Sequence, residues 1–503
     1  MLRKTIFALL FASPAWAESC DLAAKLHIPN TVITSSEVVT SGVFAPPTGH
    51  LLTGLPAFCR VAATLKPTPD SDIRIEIWLP QSAWNGRLEG TGNGGFAGKI
   101  AYGSLANGLK LGYAVTNTDM GLATPAGADA SIFVNHPERW ADWGYRATHE
   151  MTVAAKQVVK AYYGRDANHA YFSGCSTGGE QALMEAERFP DDYDGIVGGA
   201  AAQNRTGVHV SILWNFVATR KEPGAYIPAA KLSTLTKAVV AACDNSDGVK
   251  DGLIADPRKC SFDPASLLCS SDDSDTCFTR AQVDTVKRLY AGPENPRTGQ
   301  KIYPGLPPGS EFGWGALGAV PGPQAIPPFE PIFKWAFGSN WDWRTFNFDR
   351  SNALFNQKLA GNVNANSPDL DRFRAKGHKF LMYHGWADWL VAPDESLNYY
   401  TAVTSRYNKQ VSNFYRLFML PGMAHCSGGP GPDNFDPLSA VVKWVEQGSA
   451  PNELIATKYT ANQPPRTVLL QRPVCPYPEI ARYKGTGSTN EAASFTCMAS
   501  PAH

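Results

Sequence analysis

Ten cysteines punctuate this 503-residue chain, and their positions limit its fold more than any other residue type does: Cys20, Cys59, Cys175, Cys243, Cys260, Cys269, Cys277, Cys426, Cys475 and Cys497. An even count, with no C-x-x-C pair and no histidine-rich cluster, favours a disulfide framework made in an oxidising compartment over zinc binding. Proximity groups Cys243 with Cys260, Cys269 with Cys277, Cys475 with Cys497 and Cys20 with Cys59, which leaves Cys175 and Cys426 for each other across about 250 positions. Spacing alone does not fix that connectivity. If this last bond forms, it ties the middle of the chain to its final fifth.

The amino terminus agrees with export. Arg3 and Lys4 precede the apolar run Thr5 to Ala12 and a small-x-small site at Ala15-Trp16-Ala17, so residues 1–17 read as a cleaved secretory signal. The run is too short to span a bilayer, and no other stretch approaches about 20 apolar residues. A secreted or periplasmic protein is expected. Lys+Arg and Asp+Glu both number 45, which removes any whole-chain electrostatic footprint for nucleic acid or anionic lipid. With 44% hydrophobic and 11% aromatic residues and no glycine or heptad period, disorder, collagen and coiled coil are excluded.

Strand-like and helix-like segments alternate along the first part of the chain. Ile73 to Leu79 alternates apolar with charged residues and stops at Pro80, a strand signal. A glycine-dense stretch, Gly90 to Gly98, is followed by a short strand at Tyr113 to Thr116, a helical pattern over 140–163 and a strand at Ala170 to Ser173. A helix from Glu180 to Arg188 and a buried strand at Gly195 to Gly199 come next. Between about 204 and 375 the beat is lost in a Pro-, Gly-, Asp- and aromatic-rich stretch. It returns with strands at Lys379 to His384 and Phe414 to Leu420 and helices at Asp394 to Tyr407 and Pro437 to Gln447. Such alternation implies a parallel sheet covered on both faces, here an α/β core over 18–203 and 376–503 interrupted by an insertion over 204–375.

Gly174-Cys175-Ser176-Thr177-Gly178 fits G-x-S-x-G, the strand-to-helix elbow that presents a nucleophilic serine above the edge of an α/β sheet. A Gly-rich turn with an idle serine is the plainer alternative. The preceding apolar strand and the following helix favour the elbow. A serine hydroxyl needs a base, the base needs an orienting carboxylate, and on this fold the chain order is Ser, acid, His. His425 lies in the Gly-rich loop after the strand Phe414 to Leu420, whereas His384, at a strand end, reads as a core histidine. Asp388, in Gly385-Trp-Ala-Asp388, is the candidate acid and Asp394 the second choice. Ser176 directly follows Cys175 and His425 directly precedes Cys426. A bond between those cysteines would hold the two Cα atoms of nucleophile and base within roughly 14 Å.

These residues, together with Trp84-Asn-Gly-Arg87, Gly92-Asn-Gly-Gly95, Arg188-Phe-Pro-Asp-Asp-Tyr-Asp-Gly-Ile196 and Cys475-Pro-Tyr-Pro-Glu-Ile-Ala-Arg-Tyr-Lys484, resemble the tannase and feruloyl esterase family. The resemblance spans nearly the whole mature chain and is weakest between about 300 and 375. It implies an α/β-hydrolase core with a large inserted lid, with Ser176 as nucleophile, His425 as general base and then acid, and Asp388 orienting it. It further implies an oxyanion hole from the backbone N–H groups of Thr177 and Gly95, with Gly94 a one-residue alternative.

Between Cys243 and Cys260, the carboxylates Asp244, Asp247 and Asp251 are spaced like calcium ligands, though without the glutamate that closes an EF-hand. Spacing leaves a solvated acidic turn equally open. The resemblance implies structural Ca²⁺ held by Asp244, Asp247 and Asp251 and by the carbonyls of Val249 and Leu253. Within the lid, ten Phe and Trp residues crowd 312–348. They offer either a stacking surface for an aromatic acyl group or the lid's own core. The arginine with which a terephthalate-monoester hydrolase of the family holds its substrate's free carboxylate has no recognised counterpart here. The expected activity is hydrolysis of small aromatic esters, feruloyl or other hydroxycinnamoyl esters first, then galloyl or terephthalate monoesters, without an organic cofactor. A non-catalytic binding protein on the same scaffold and a peptidase are the rivals.

Overall fold

The computed structural model describes residues 20–21, 25–40, 42–47, 49–122, 131–317, 326–461 and 465–499. The proposed signal over 1–17 lies outside them. Nine strands form one sheet: β1 (Thr31–Val39), β2 (Phe58–Leu65), β3 (Ile73–Pro80), β4 (Arg87–Thr91), β5 (Ala114–Thr118), β6 (His169–Cys175), β7 (Gly195–Gly199), β8 (Lys379–Gly385) and β9 (Tyr415–Leu420). Their spatial order is β1-β2-β3-β5-β4-β6-β7-β8-β9. The pairings β1 to β2, β2 to β3 and β3 to β5 are antiparallel; those from β5 through β4, β6, β7 and β8 to β9 are parallel.

Side-chain alternation shows why the parallel strands β6 to β9 are mostly apolar. Phe172, Ile196, Phe380, Met382 and Leu417 point into one core layer, while Tyr171, Val197, Leu381 and Phe418, one residue out of phase, point into the other. Both faces are therefore covered, as period-2 strands in a parallel sheet require. Helices α1 (Ala147–Tyr163), α2 (Thr177–Arg188) and α7 (Pro393–Tyr407) pack on the first face; α8 (Pro437–Gln447) and the helix Tyr102–Lys110 pack on the second.

The stretch 204–375 is helical, with α3 (Arg205–Ala218), α4 (Ala229–Cys243), α5 (Arg280–Ala291) and α6 (Arg350–Val363). Leu232, Leu235, Val239, Val283, Val286 and Trp314 make a separate apolar cluster, flanked by the Cys243–Cys260 and Cys269–Cys277 bonds. Phe333, Trp335, Phe346 and Phe355 belong instead to the main core. Most of the aromatic residues between 312 and 348 thus pack on one another and on their neighbours, as in the stacked pair Phe333 and Phe355.

Strands β1, β2 and β4 had no counterpart in the sequence reading. Phe58–Leu65 carries a clean buried/half-buried alternation that period-2 counting reaches. Arg87–Thr91 does not: it places Glu89 and Gly90 in the centre of a sheet, against strand preference.

Candidate active site

The loops that leave the carboxyl ends of β4, β6, β7, β8 and β9 converge on one edge of the sheet. Register aligns them: Thr91 pairs with Ser173, Cys175 with Gly199, Tyr383 with Gly199 and Gly385 with Leu420. Crevices at the carboxyl ends of parallel strands are where ligands bind in open α/β sheets.

Ser176 sits between β6 and α2 with φ 64° and ψ −117°, a strained left-handed backbone held by its N–H donating to the Gly199 carbonyl at 2.9 Å. Such an elbow exposes the hydroxyl and leaves the first N–H groups of α2 without an intrahelical acceptor. A Cβ at Gly174 would stand 2.5 Å from the Gly178 carbonyl oxygen, so glycine is required there by close backbone approach. Cys426, beside His425, also has a positive φ, 63°.

From Ser176 a hydrogen-bond chain runs inward. His425 Nε2 lies 2.8 Å from Ser176 Oγ, and His425 Nδ1 lies 2.7 Å from Asp388 Oδ2. Asp388 is fully buried, and its Oδ1 accepts the backbone N–H groups of Leu390 and Val391 at 2.8 and 3.0 Å. Burial opposes its ionisation, but the charges and hydrogen bonds of His425 and His384 together hold the carboxyl well below the usual carboxylate range. Asp394 belongs to the first turn of α7, its carboxyl raised by burial, and makes no hydrogen bond to His425 among the described residues. Cys175 and Cys426 are bonded, with Cα atoms 6.0 Å apart across a sequence separation of 251. The other four bonds join Cys20 to Cys59, Cys243 to Cys260, Cys269 to Cys277 and Cys475 to Cys497.

His384 is a core histidine with a second role that its strand-end position did not announce. Its Nε2 faces both Asp388 Oδ2 at 3.1 Å and the Val391 carbonyl at 3.0 Å, and its Nδ1 meets Ser396 Oγ at 2.7 Å. Two acceptors at Nε2 assign the proton to that nitrogen. Asp388 is therefore gripped by two imidazoles and two backbone amides.

Gly94 and Gly95 line the same cavity as Ser176, a space of about 360 Å³ bounded by Arg205, Val208, His209, Ile212, Phe329, Leu390, Val391 and His425. Gly95 has φ +60°, and a Cβ there would meet nothing within 4 Å. Glycine suits this position because L side chains rarely adopt so positive a φ, and the space beside it stays open. Thr177 Oγ1 donates to the Gly95 carbonyl at 2.6 Å and accepts from Arg205 Nη2 at 2.7 Å, which fixes the glycine loop against α2. Arg205 is buried and paired with Glu180 at 2.5 Å; burial still pushes Glu180 up to about 7. A larger cavity of about 610 Å³, bounded by Asp251, Arg258, Trp386, Arg472 and Tyr477, does not include Ser176.

The acidic loop after α4 borders that larger cavity, not the one that holds Ser176. Asp244 Oδ1 accepts the N–H groups of Asp251, Gly252 and Leu253 at 3.0 to 3.2 Å, and Asp251 pairs with Arg472. Asp244, Asp247 and Asp251 are not among the groups of described residues whose ligating atoms all fall within 4.8 Å of one another. Carboxylate oxygens are donors suited to a hard cation, and burial, with the neighbouring Asp251 and Asp244 charges, raises the Asp247 carboxyl. Val249 and Leu253 are buried beside them.

Comparison with known proteins gives a consistent picture. A family model described as tannase and feruloyl esterase matches residues 59–325 and 332–498. An uncharacterized esterase of Xanthomonas campestris pv. campestris is 39% identical, over 99% of this chain and 94% of its own. A probable feruloyl esterase B-2 of Aspergillus terreus is 31% identical, over 98% and 97%. Among solved structures, feruloyl esterase B from Aspergillus oryzae superposes with a TM-score of 0.86 at 31% identity, covering 94% of this chain and 98% of that one. Tannin acyl hydrolase from Aspergillus niger, at 22% identity and a TM-score of 0.78 over 97% of both chains, bears on the fold alone.

Proposed function

This chain belongs to the tannase and feruloyl esterase family, and from that premise we propose that it hydrolyses esters of aromatic acids, feruloyl and related hydroxycinnamoyl esters first among them. It is a carboxylic ester hydrolase with an α/β-hydrolase core. The observation that carries the reading is the unbroken hydrogen-bond chain Ser176, His425, Asp388 beside a mostly apolar cavity.

Ser176 Oγ attacks the ester carbonyl as its proton passes to His425 Nε2, already in hydrogen-bond contact. Asp388 holds Nδ1–H and stabilises the imidazolium that forms. The tetrahedral oxyanion is received by the N–H groups of Thr177 and Gly95. Collapse expels the alcohol, protonated by His425; water, deprotonated by the same imidazole, then releases the acid and restores Ser176. The nearby Cys175–Cys426 bond contributes positioning.

Two further parts belong to the proposal. The acidic loop holds a structural calcium ion through Asp244, Asp247, Asp251 and the carbonyls of Val249 and Leu253; when bound, the ion would neutralise and cross-link the loop. The enzyme acts outside the cytoplasm, secreted or periplasmic, consistent with five disulfides and the leader-like residues 1–17. Among the described residues, no helix is long and apolar enough to cross a membrane.

Initial rates on methyl ferulate, methyl gallate and a terephthalate monoester test the substrate class. Methyl ferulate is expected to be turned over fastest, and hydrolysis of methyl gallate without methyl ferulate would reverse the order proposed. A serine-directed phosphonate should label Ser176 in the folded protein. A folded protein that resists it is the binding scaffold instead.

A further inference from the structure

Helix α3 presents Arg205, Val208, His209 and Ile212 to the cavity that holds Ser176, a spacing that puts all four on one helical face. Two are apolar. Arg205 is committed to Glu180 and to Thr177 Oγ1. Of the polar side chains that line this cavity, Ser176 and His425 bond each other. His209 alone is left over: it is 1% exposed, and neither Nδ1 nor Nε2 has a hydrogen-bond partner among the described residues.

A buried imidazole with both nitrogens idle is costly, and native interiors satisfy such groups. The surroundings of His209 indicate what satisfies it. Its ring stacks on Phe96 at 5.6 Å with the planes 5° apart, and Phe329 stands 5.5 Å from both rings. Phe96 directly follows Gly95 of the glycine loop. The imidazole is therefore set among aromatic rings in the lining of the cavity that holds Ser176, where Phe329 offers an aromatic face.

We propose that His209 reads a hydroxyl on the substrate's aromatic ring, making the cavity selective for esters of hydroxylated over unsubstituted aromatic acids. The inference rests on the aromatic-ester reading above and names, for the hydroxylated rings of that substrate class, the residue that recognises them. Burial, reinforced by the Arg205 charge, depresses the basicity of His209 and keeps it neutral, with one N–H to donate and one bare nitrogen to accept. A phenolic hydroxyl matches either nitrogen. A substrate carboxylate calls for a cation, and the cation in this cavity is already paired with Glu180.

The test compares kcat/KM for methyl cinnamate with that for its 3-hydroxy and 4-hydroxy derivatives, in the wild type, in H209F and in H209Q. The wild type should prefer at least one hydroxylated ester by roughly 10- to 100-fold, the worth of one buried hydrogen bond. His209→Phe, which keeps a ring and removes both nitrogens, should lower kcat/KM for the hydroxylated esters and so erase that preference; His209→Gln should restore part of it. Free 4-hydroxycinnamate and cinnamate as competitive inhibitors of the unaltered enzyme give a second measure that needs no variant, with the hydroxylated acid expected to bind more tightly. Turnover of all the esters with no hydroxyl preference and equal inhibition constants, or a preference unchanged in H209F, overturns the role of His209 and leaves the esterase reading intact. Turnover of none of these esters overturns that reading and this inference with it.

Discussion

Asp388 is held by more groups than the orienting acid of the proposed triad strictly needs. Two backbone amides take one oxygen, and His425 and His384 share the other. His384 does not line the cavity that holds Ser176 and meets the Ser176–His425–Asp388 chain at Asp388, which makes it a positioning residue. Replacing it by Ala should lower kcat by roughly 10- to 100-fold, as expected for a lost hydrogen bond to a charged group, with KM nearly unchanged. His384→Gln, which retains an N–H donor, should recover much of the loss; equal effects of Ala and Gln, or a change confined to KM, would refute the positioning role. Ser176, His425 and Asp388 were legible in the sequence because each stands in a loop with a local signature: flanking glycines, an adjacent cysteine, a preceding apolar strand. His209 and His384 were not. The first is one residue in the apolar run Val208 to Leu213 and the second ends a strand, so what each faces is decided by neighbours from distant parts of the chain.

At the scale of elements, β4 is the least expected strand and the most informative. Glu89 lies at the sheet centre, accepting from Ser173 Oγ at 2.6 Å, and burial pushes its carboxyl up to about 7, with a smaller contribution from Asp436. Its pKa is higher folded than unfolded, so between about 4.3 and 7 the folded state keeps a proton that the unfolded state has released. Stability linked to Glu89 is complete below that window and is lost as pH rises through it. Thermal unfolding of Glu89→Gln should therefore show a Tm advantage over the wild type that grows from pH 4 to pH 8, and a gap independent of pH would exclude this linkage. The loop after α4 makes a different prediction. If it holds calcium, chelator should lower Tm in the wild type, and Asp247→Asn should remove that response. The repeated strand-helix beat made β3 and β5 to β9 readable, whereas β4 was hidden because a carboxylate and a glycine in a central strand oppose its propensity.

For the molecule as a whole, the Cys175–Cys426 bond closes the longest loop of the five, 251 residues apart. The chain-entropy estimate for such a loop is at most about 5.5 kcal/mol, and the Cys243–Cys260 and Cys269–Cys277 bonds nested inside it shorten the effective loop. The double variant C175S/C426S should unfold at lower temperature and lose roughly tenfold or more in kcat/KM on a chromogenic aromatic ester. Unchanged turnover at a temperature where the variant stays folded would show that packing alone aligns Ser176 with His425. The cysteine count made the pairing arithmetic readable, but not how the insertion divides, since part of its aromatic content joins the main core instead of its own cluster. Order of synthesis follows from the same long-range closure. A ribosome that has delivered Ser176 has made an elbow with no imidazole beside it, and almost the entire polypeptide must emerge before the partner arrives. Competence to cut an ester is in that sense the last property the nascent chain acquires.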